Sequence, residues 1–278
     1  MALTAHTIPT IVGQAILESL KANLVYGSMF NQDYLGDVAP GNIVKIPSIG
    51  SVTVDDYVRY TDMAEEAVTD ASQSMSIDQQ KFFNLVIDDI DAAMAKPQIM
   101  AAYANEAAYA LRDEVDKYLA SILAAGTLTT DLGDDTTPLD IGGAATAEGM
   151  FTQMAVLLDQ AKVPRQGRYA IIPPWLNKHL VTNAILNFSD TMSVAQDGLV
   201  GRYAGFDILL SWNVPNTASA KYKIVAGSRI AATNAIAINK TEVLRHESQF
   251  ADKFRGLAVY GAKLTRADKV AVATVDPA

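Results

Sequence analysis

The chain contains no cysteine. Disulfides, thiolate catalysis and cysteine-ligated metal sites are therefore excluded, and a reducing cytoplasm is compatible with the sequence. Basic residues are scarce: 22 Lys and Arg stand against 31 Asp and Glu, a formal charge of −9. Gripping nucleic acid through its phosphates needs clustered Lys and Arg, so that class is disfavoured, whereas a container that only encloses nucleic acid is not. No apolar run approaches the ~18 residues of a membrane-spanning helix. The start, MALTAHTIPTIVGQAILESL, has neither a basic leading region nor an A-x-A-like cleavage site. Phosphate cradles (G-x-x-x-x-G-K-[ST]), dinucleotide turns (G-x-G-x-x-G) and nucleophile elbows (G-x-S-x-G) are all missing. The histidines His6, His179 and His246 are scattered, with none at helical spacing from another, so no metal site is expected. DLGDDTTPLD at 131–140 is acidic but lacks the glycine and glutamate that a calcium loop requires, and predicts a solvated loop.

Half of the residues are apolar and no low-complexity tract occurs, so a folded protein with a sizeable core is expected. Residues 1–40 look like an arm. An amphipathic helix is expected near 9–24, with Ile11, Val12, Ile16 and Leu20 on one side. Residues 43–60, IVKIPSIGSVTVDDYVRY, alternate: Val44, Ile46, Val52, Val54, Val58 and Tyr60 share one parity, which predicts a half-buried strand. Pro47 cannot donate to a ladder and places that strand at an edge. From Asp55 to Asp70 come six acids (Asp55, Asp56, Asp62, Glu65, Glu66, Asp70) and one base, Arg59. Then SMSIDQQKFFNLVIDDI alternates again, with Met75, Ile77, Phe83, Leu85 and Ile87 on one side. As a single strand, 75–87 would run roughly 40 Å. Two strands joined by an acidic loop predict an antiparallel hairpin, and a two-stranded ribbon is marginal in water unless something covers its apolar face.

KPQIMAAYANEAAYALRDEVDKYLASILAAG follows. Tyr103, Ala107, Leu111, Val115, Tyr118, Leu119 and Ile122 form a stripe at spacings of three and four. Asn105, Glu106, Arg112, Asp113, Asp116 and Lys117 take the other side, and Asp113 with Lys117 forms an i,i+4 pair. Residues 97–125 make a helix of about 43 Å at ~1.5 Å per residue, with Gly126 as its stop. Asp88, Asp89 and Asp91 precede it, where turn and helix-start chemistry explains them more simply than a carboxylate dyad does. Residues 127–145 form a turn-rich connector. A helix then begins after Thr146 with Met150, Met154, Leu157, Leu158 and Ala161 inward. A short buried strand at Tyr169–Ile172 and a helix started by Pro174 come next, and short strands alternate with turns to the end. Trp175 and Trp212 are expected to pack within this second half. The class is α+β; a helical bundle is excluded because no second helix matches the first.

In order, these features resemble the major capsid proteins of tailed bacteriophages, those with the Hong Kong 97-type fold. The arm is followed by a long hairpin (that family's E-loop) and a long spine helix, 97–125. LLDQAKVPRQGRYAIIPPWLNKHL is similar to the family's axial-domain segment, GLVGRYAGFDILLSWNVP to its G-x-x-G-F stretch, and LRHESQFADKFRGLAVYGAKLTR to the strands that return to the peripheral sheet. The resemblance implies an N-terminal arm at 1–40, an E-loop hairpin at 41–80, a peripheral domain at 81–145 and 241–278, and an axial domain at 146–240. It implies a non-enzymatic shell subunit without cofactor. Copies would form pentamers and hexamers that close into an icosahedral head around double-stranded DNA, without reading its sequence and without a membrane. Scaffolding and portal proteins are the expected partners; with the arm starting at residue 1, either the scaffolding protein is a separate chain or this chain is a processed form. Assembly in the host cytoplasm and residence in the virion follow. A covalent Lys–Asn crosslink, which some relatives make, has no matched motif here and is not expected. Two other classes stand beside this one: an encapsulin-like cellular compartment of the same fold, and an α+β enzyme with a dispersed site such as Asp88, Asp89 and His179.

Candidate contacts between subunits are Arg59, Asp62, Glu65, Glu66 and Asp70 in the hairpin loop. Deleting 61–70 is expected to leave circular dichroism native while abolishing rapidly sedimenting shells; normal shells from the deletion would remove the hairpin from the assembly argument.

Overall fold

The computed structural model describes residues 24–31, 43–49, 54, 56–57, 59–60, 62, 70–89, 98–141, 147–182, 199–217 and 221–277. The arm helix expected at 9–24 lies outside the described residues apart from Leu24. A short 3-10 turn at Tyr26–Met29 follows it.

Alternation at the start of the hairpin builds β1 (Ile43–Ile49), whose Val44 and Ile46 are buried. β2 (Asp70–Ser76) pairs with it antiparallel, from Ile43 opposite Ser76 to Ile49 opposite Asp70. Pro47 sits opposite Ser72 in this two-stranded ribbon, where each strand is an edge and a missing N–H is tolerated. The buried parity does not extend to the tip. Val54 and Tyr60 are 92% and 102% exposed, because no second layer of the subunit reaches them. The strand expected over 75–87 also divides. β2 ends at Ser76, and β3 (Gln79–Asp88) enters a different, three-stranded sheet of order β10 (Ala232–Arg245), β11 (Ala251–Leu264), β3. Its parity survives the break: Phe83, Leu85 and Ile87 are half-buried, while Phe82, Asn84 and Val86 are exposed.

The long helix, α1 (Gln98–Leu123), runs 26 residues, or about 39 Å. From Ala107 onward its stripe packs as expected, Ala107 and Leu119 buried and Leu111, Val115, Tyr118 and Ile122 half-buried, whereas Tyr103, nearer the helix start, is 43% exposed. Tyr118 meets Tyr260 of β11 edge-on at 5.4 Å, and Lys117 pairs with Asp113 at 2.7 Å. A second expectation fails. Asp116, assigned to the outer side, is only 3% exposed. The last turns of α1 serve two sheets at once, so the covered arc is wider than one stripe. Gly126 does end the helix region, with its amide donating to the Leu123 carbonyl at 3.2 Å. The need for glycine there is a close approach: a Cβ would lie 2.7 Å from the carbonyl oxygen of Val270.

The other sheet has seven strands in the order β4 (Leu139–Asp140), β12 (Val270–Asp276), β9 (Lys221–Ser228), β5 (Arg168–Ile172), β7 (Phe206–Leu210) and β6 (Leu199–Tyr203), with β8 (Asn216–Thr217) beside β9. Both of its faces are covered. Ala170, Ile172, Ile208, Ile224, Ala226, Ala273 and Val275 face α2 (Ala147–Gln160) and α3 (Pro174–Thr182), where Met150, Phe151, Met154, Leu158, Leu176 and Leu180 fill the core. Tyr169, Ile171, Leu209, Val225, Val270 and Val272 face the 3-10 turn and the end of α1, through Tyr26, Met29, Leu119, Ala120 and Leu123. RYAII is a continuous buried run for this reason, as a strand covered on both faces should be. Its Arg168 is buried too. The guanidinium pairs with Asp159 at 2.7 Å and donates to the carbonyls of Val163 and Pro164, which satisfies the charge.

β10 begins at Ala232 and pairs with β11, and β12 sits inside the seven-stranded sheet beside β9. Short apolar strands carry no signal of which sheet they enter. Trp175 is half-buried against Tyr222, at 5.5 Å between rings. Trp212, by contrast, is 71% exposed, contrary to expectation. Its turn lies at the rim between the seven-stranded sheet and α1, where the neighbouring Asn213, not the indole, makes the inward contact.

Truncating Leu123, fully buried between α1 and the seven-stranded sheet, to Ala should lower unfolding free energy by about 2–5 kcal/mol in urea titration. Ile230→Ala at an exposed site should change it by less than about 0.5 kcal/mol.

Candidate assembly surfaces

The hairpin is rooted on the three-stranded sheet. Val44, Ile46, Met75 and Ile77 close over Ala235 and Val259 in a small core of their own. The Lys263 ammonium donates to the Ser74 carbonyl at 2.8 Å, and the Gln73 amide to the Thr265 carbonyl at 3.1 Å. Gly261 lies directly under the ribbon, where a Cβ would collide with the carbonyl oxygen of Ser76. Beyond this root the ribbon has no described cover. Val54, Tyr57 and Tyr60 are exposed beside the acidic loop. Of the candidate contact residues, Arg59 and Asp62 are exposed at the tip. Asp70 opens β2 opposite Ile49, and Glu65 and Glu66 lie outside the described residues.

Past the root, the face of the three-stranded sheet turned away from α1 is also open. Its register stacks three cross-strand rows: Lys240, Leu257 and Phe82; Glu242, Arg255 and Asn84; Leu244, Lys253 and Val86. Phe82 is 77% exposed, and Leu244, Val86 and Leu257 are exposed as well. Glu242 accepts from Lys240 and Arg255, at 2.7 Å each. Those bonds push its carboxyl down to about 2. A carboxyl depressed in the folded state contributes stability that is present above its unfolded pKa and lost as pH falls through the folded one. The Glu242 pairs therefore persist to about pH 2. Asp88, next on the same side of β3, is a second acid, so Lys240, Arg255 and Lys253 leave this face one surplus positive charge against the acidic hairpin loop. No described feature of the sequence announced this face; the signal that could have found it was the outward parity of Phe82, Val86 and Leu257, which is visible only once their strands are paired.

The dispersed catalytic residues do not converge. Asp89 accepts both guanidinium branches of Arg245, which hold its carboxyl below the usual range, at the end of the three-stranded sheet. His179 lies on α3 against Trp175, in the layer under the other sheet. Among the described residues no group of three or more His, Cys, Asp or Glu could hold a metal ion, and no helix is long and apolar enough to cross a membrane. The acidic turn at 131–137 is folded on itself, Asp134 accepting from the amides of Thr136 and Thr137 at 2.7 and 2.6 Å.

A family model described as phage capsid protein matches residues 50–275. The chain belongs to this family. Among solved structures, a chain from Mycobacterium phage Che8 is 27% identical, with 98% of each chain covered and a TM-score of 0.77. The capsid of the cyanophage P-SCSP1u matches at 17% identity over 96% of this chain and 92% of that one, with a TM-score of 0.76. The capsid of Ralstonia phage GP4 matches at 11% identity over 100% and 98%, with a TM-score of 0.70. At these lower identities the likeness establishes the shared fold. No curated protein matches the chain in sequence. The α+β architecture is the Hong Kong 97-type capsid fold, and the protein is a phage major capsid protein, a structural component of the virion shell. The matching structures come from phages, so the cellular compartment of the same fold is not favoured.

Phe82→Ser should leave the thermal midpoint within about 2 °C, since the ring is already in water, yet reduce the fraction of subunit that sediments as shells. Unchanged sedimentation would exclude this face from assembly.

Proposed function

We propose that the subunit assembles through the hairpin of each copy lying against the open sheet face of a neighbour, the ribbon being the family's E-loop. One observation carries this reading: the subunit leaves two complementary surfaces uncovered, an acidic tip with Val54, Tyr57 and Tyr60, and a basic face with Phe82 and Leu257. Arg59, Asp62, Glu65, Glu66 and Asp70 are then contacts between subunits. A closed symmetric assembly removes exposed edges and unpaired apolar surface together. The copies form pentamers and hexamers that close into an icosahedral head around double-stranded DNA. With a net charge of −9 the protein holds the DNA without clinging to it. Assembly takes place in the host cytoplasm on a separate scaffolding protein, with a portal at one vertex. The subunit has no catalytic role, and the arm, hairpin, peripheral and axial parts divide as the family's do.

Negative-stain microscopy of the purified protein, alone and with its scaffolding partner, tests the reading. Angular shells or five- and six-membered rings are expected; discrete small oligomers under both conditions would overturn it.

A further inference from the structure

Four connectors meet at one end of the seven-stranded sheet, where β5, β7 and β12 start and β9 ends. Their contacts hold them together. The amides of Thr265 and Arg266 donate to the Ala231 carbonyl, the Lys269 ammonium donates to the Ala161 carbonyl, and Arg168 lies opposite Ser228. Four cations here are matched by three acids: Asp159 takes Arg165 and Arg168, Asp207 takes Arg202, and Asp268 takes Lys269. Three more, Lys162, Arg229 and Arg266, are exposed, and among the described residues no acid pairs with them. This end therefore holds a surplus of four positive charges in a chain whose formal charge is −9. Along the ribbon, the first acid beyond Gln73 is Asp70. Gln73 bonds to the Thr265 carbonyl, so Asp70 lies about 10 Å further on, beyond the screening length of roughly 8 Å at physiological salt.

Helix ends explain only part of this surplus. α1 and α2 both finish toward this rim, and each C-terminus carries the equivalent of about half a negative charge. Together they offset roughly one of the four. Lys162 also takes the left-handed backbone region, φ 57, directly after α2. Glycine would serve there without strain, so the ammonium is placed at a backbone cost.

We propose that this basic end is a contact site for a phosphodiester backbone, the point at which the shell wall touches the double-stranded DNA it encloses. Lys162, Arg229 and Arg266 donate charge-assisted hydrogen bonds to phosphate oxygens, and no base edge is read. The competing polyanion is the acidic hairpin tip of a second copy. That tip carries Val54, Tyr57 and Tyr60 in water beside its acids, and so fits a surface with apolar partners. The open sheet face offers Phe82, Val86, Leu244 and Leu257, whereas the basic end offers Ile230 as its exposed large apolar side chain. A phosphate backbone needs charge and no apolar anchor. The contact is weak by construction. The whole chain is acidic, and the local surplus acts only within a screening length. The choice of DNA as the polyanion rests on the container reading above; the basic end itself does not.

Fluorescence anisotropy of a labelled duplex of about 30 base pairs, titrated with the purified full chain at several salt concentrations, tests the site. The wild type should bind, with an affinity that falls as salt rises. The triple variant Lys162→Gln, Arg229→Gln, Arg266→Gln should weaken association about tenfold at about 50 mM salt. It should also flatten the slope of log affinity against log salt by about 2.7, the counterion release for three phosphates. Its circular dichroism should stay native, since all three side chains are exposed. The double variant Lys240→Gln, Lys253→Gln, on the open sheet face, should keep wild-type binding. Should the triple variant fail to fold, Arg229→Gln with Arg266→Gln carries the comparison, with a slope change of about 1.8. No duplex binding by the wild type, undiminished binding in the neutralised variants, or an equal loss in the sheet-face variant would overturn the proposal. So would a synthetic peptide of residues 55–70 that displaces the duplex from the wild type and fails to bind the triple variant, which would assign this end to a neighbour's hairpin. Duplex binding that behaves as expected in a protein that never forms shells would overturn the assembly reading and leave the phosphate site standing.

Discussion

The final turns of the long helix carry a double duty on which the rest of the subunit depends. Leu119, Ala120 and Leu123 fill the core against the seven-stranded sheet, while Tyr118 rests on the three-stranded one. One rigid element thus fixes the relative placement of two sheets that exchange no strands. A helix covered from two directions keeps only a narrow polar face along its shared segment, at Glu114, Lys117 and Ser121. Asp116 follows from that geometry: the position is enclosed, and a carboxylate there must be satisfied by donors from the neighbouring chain.

The two sheets solve the burial problem differently. The seven-stranded sheet is covered on both faces, tolerates continuous apolar runs such as RYAII, and holds its one buried cation, Arg168, with an acid and two carbonyls. Among the described residues, the three-stranded sheet is covered by α1 on one face and only by the ribbon root on the other. Its remaining face and the ribbon tip carry charged residues beside the apolar ones. Their apolar residues nonetheless stay in water. A shell protein can accept that incompleteness, since neighbours supply the missing layer.

Much of the architecture was legible beforehand because it rests on periodicity. The helix stripe, the inward methionines of α2, the short strand before Pro173, the antiparallel ribbon and the parity of β3 all follow from spacings of three, four or two. What was not legible depended on partners distant in sequence. Val54 and Tyr60 keep the parity of a buried strand, but burial needs a second layer that the subunit does not place there. The continuous alternation from Met75 to Ile87 hides a change of sheet at Ile77–Asp78, since alternation records which side a residue faces and not which strand lies beside it.

By itself, then, the sequence determined most of the secondary structure and, through the order of its motifs, the capsid fold. These properties are local or cumulative along the chain. Only the tertiary structure decided that Asp116 and Arg168 are buried, that Trp212 is exposed, and that Phe82, Leu257, Arg255 and Lys240 form one open face. Each of those depends on contacts across tens to hundreds of residues, and a side chain's polarity does not reveal whether a distant partner will come to meet it.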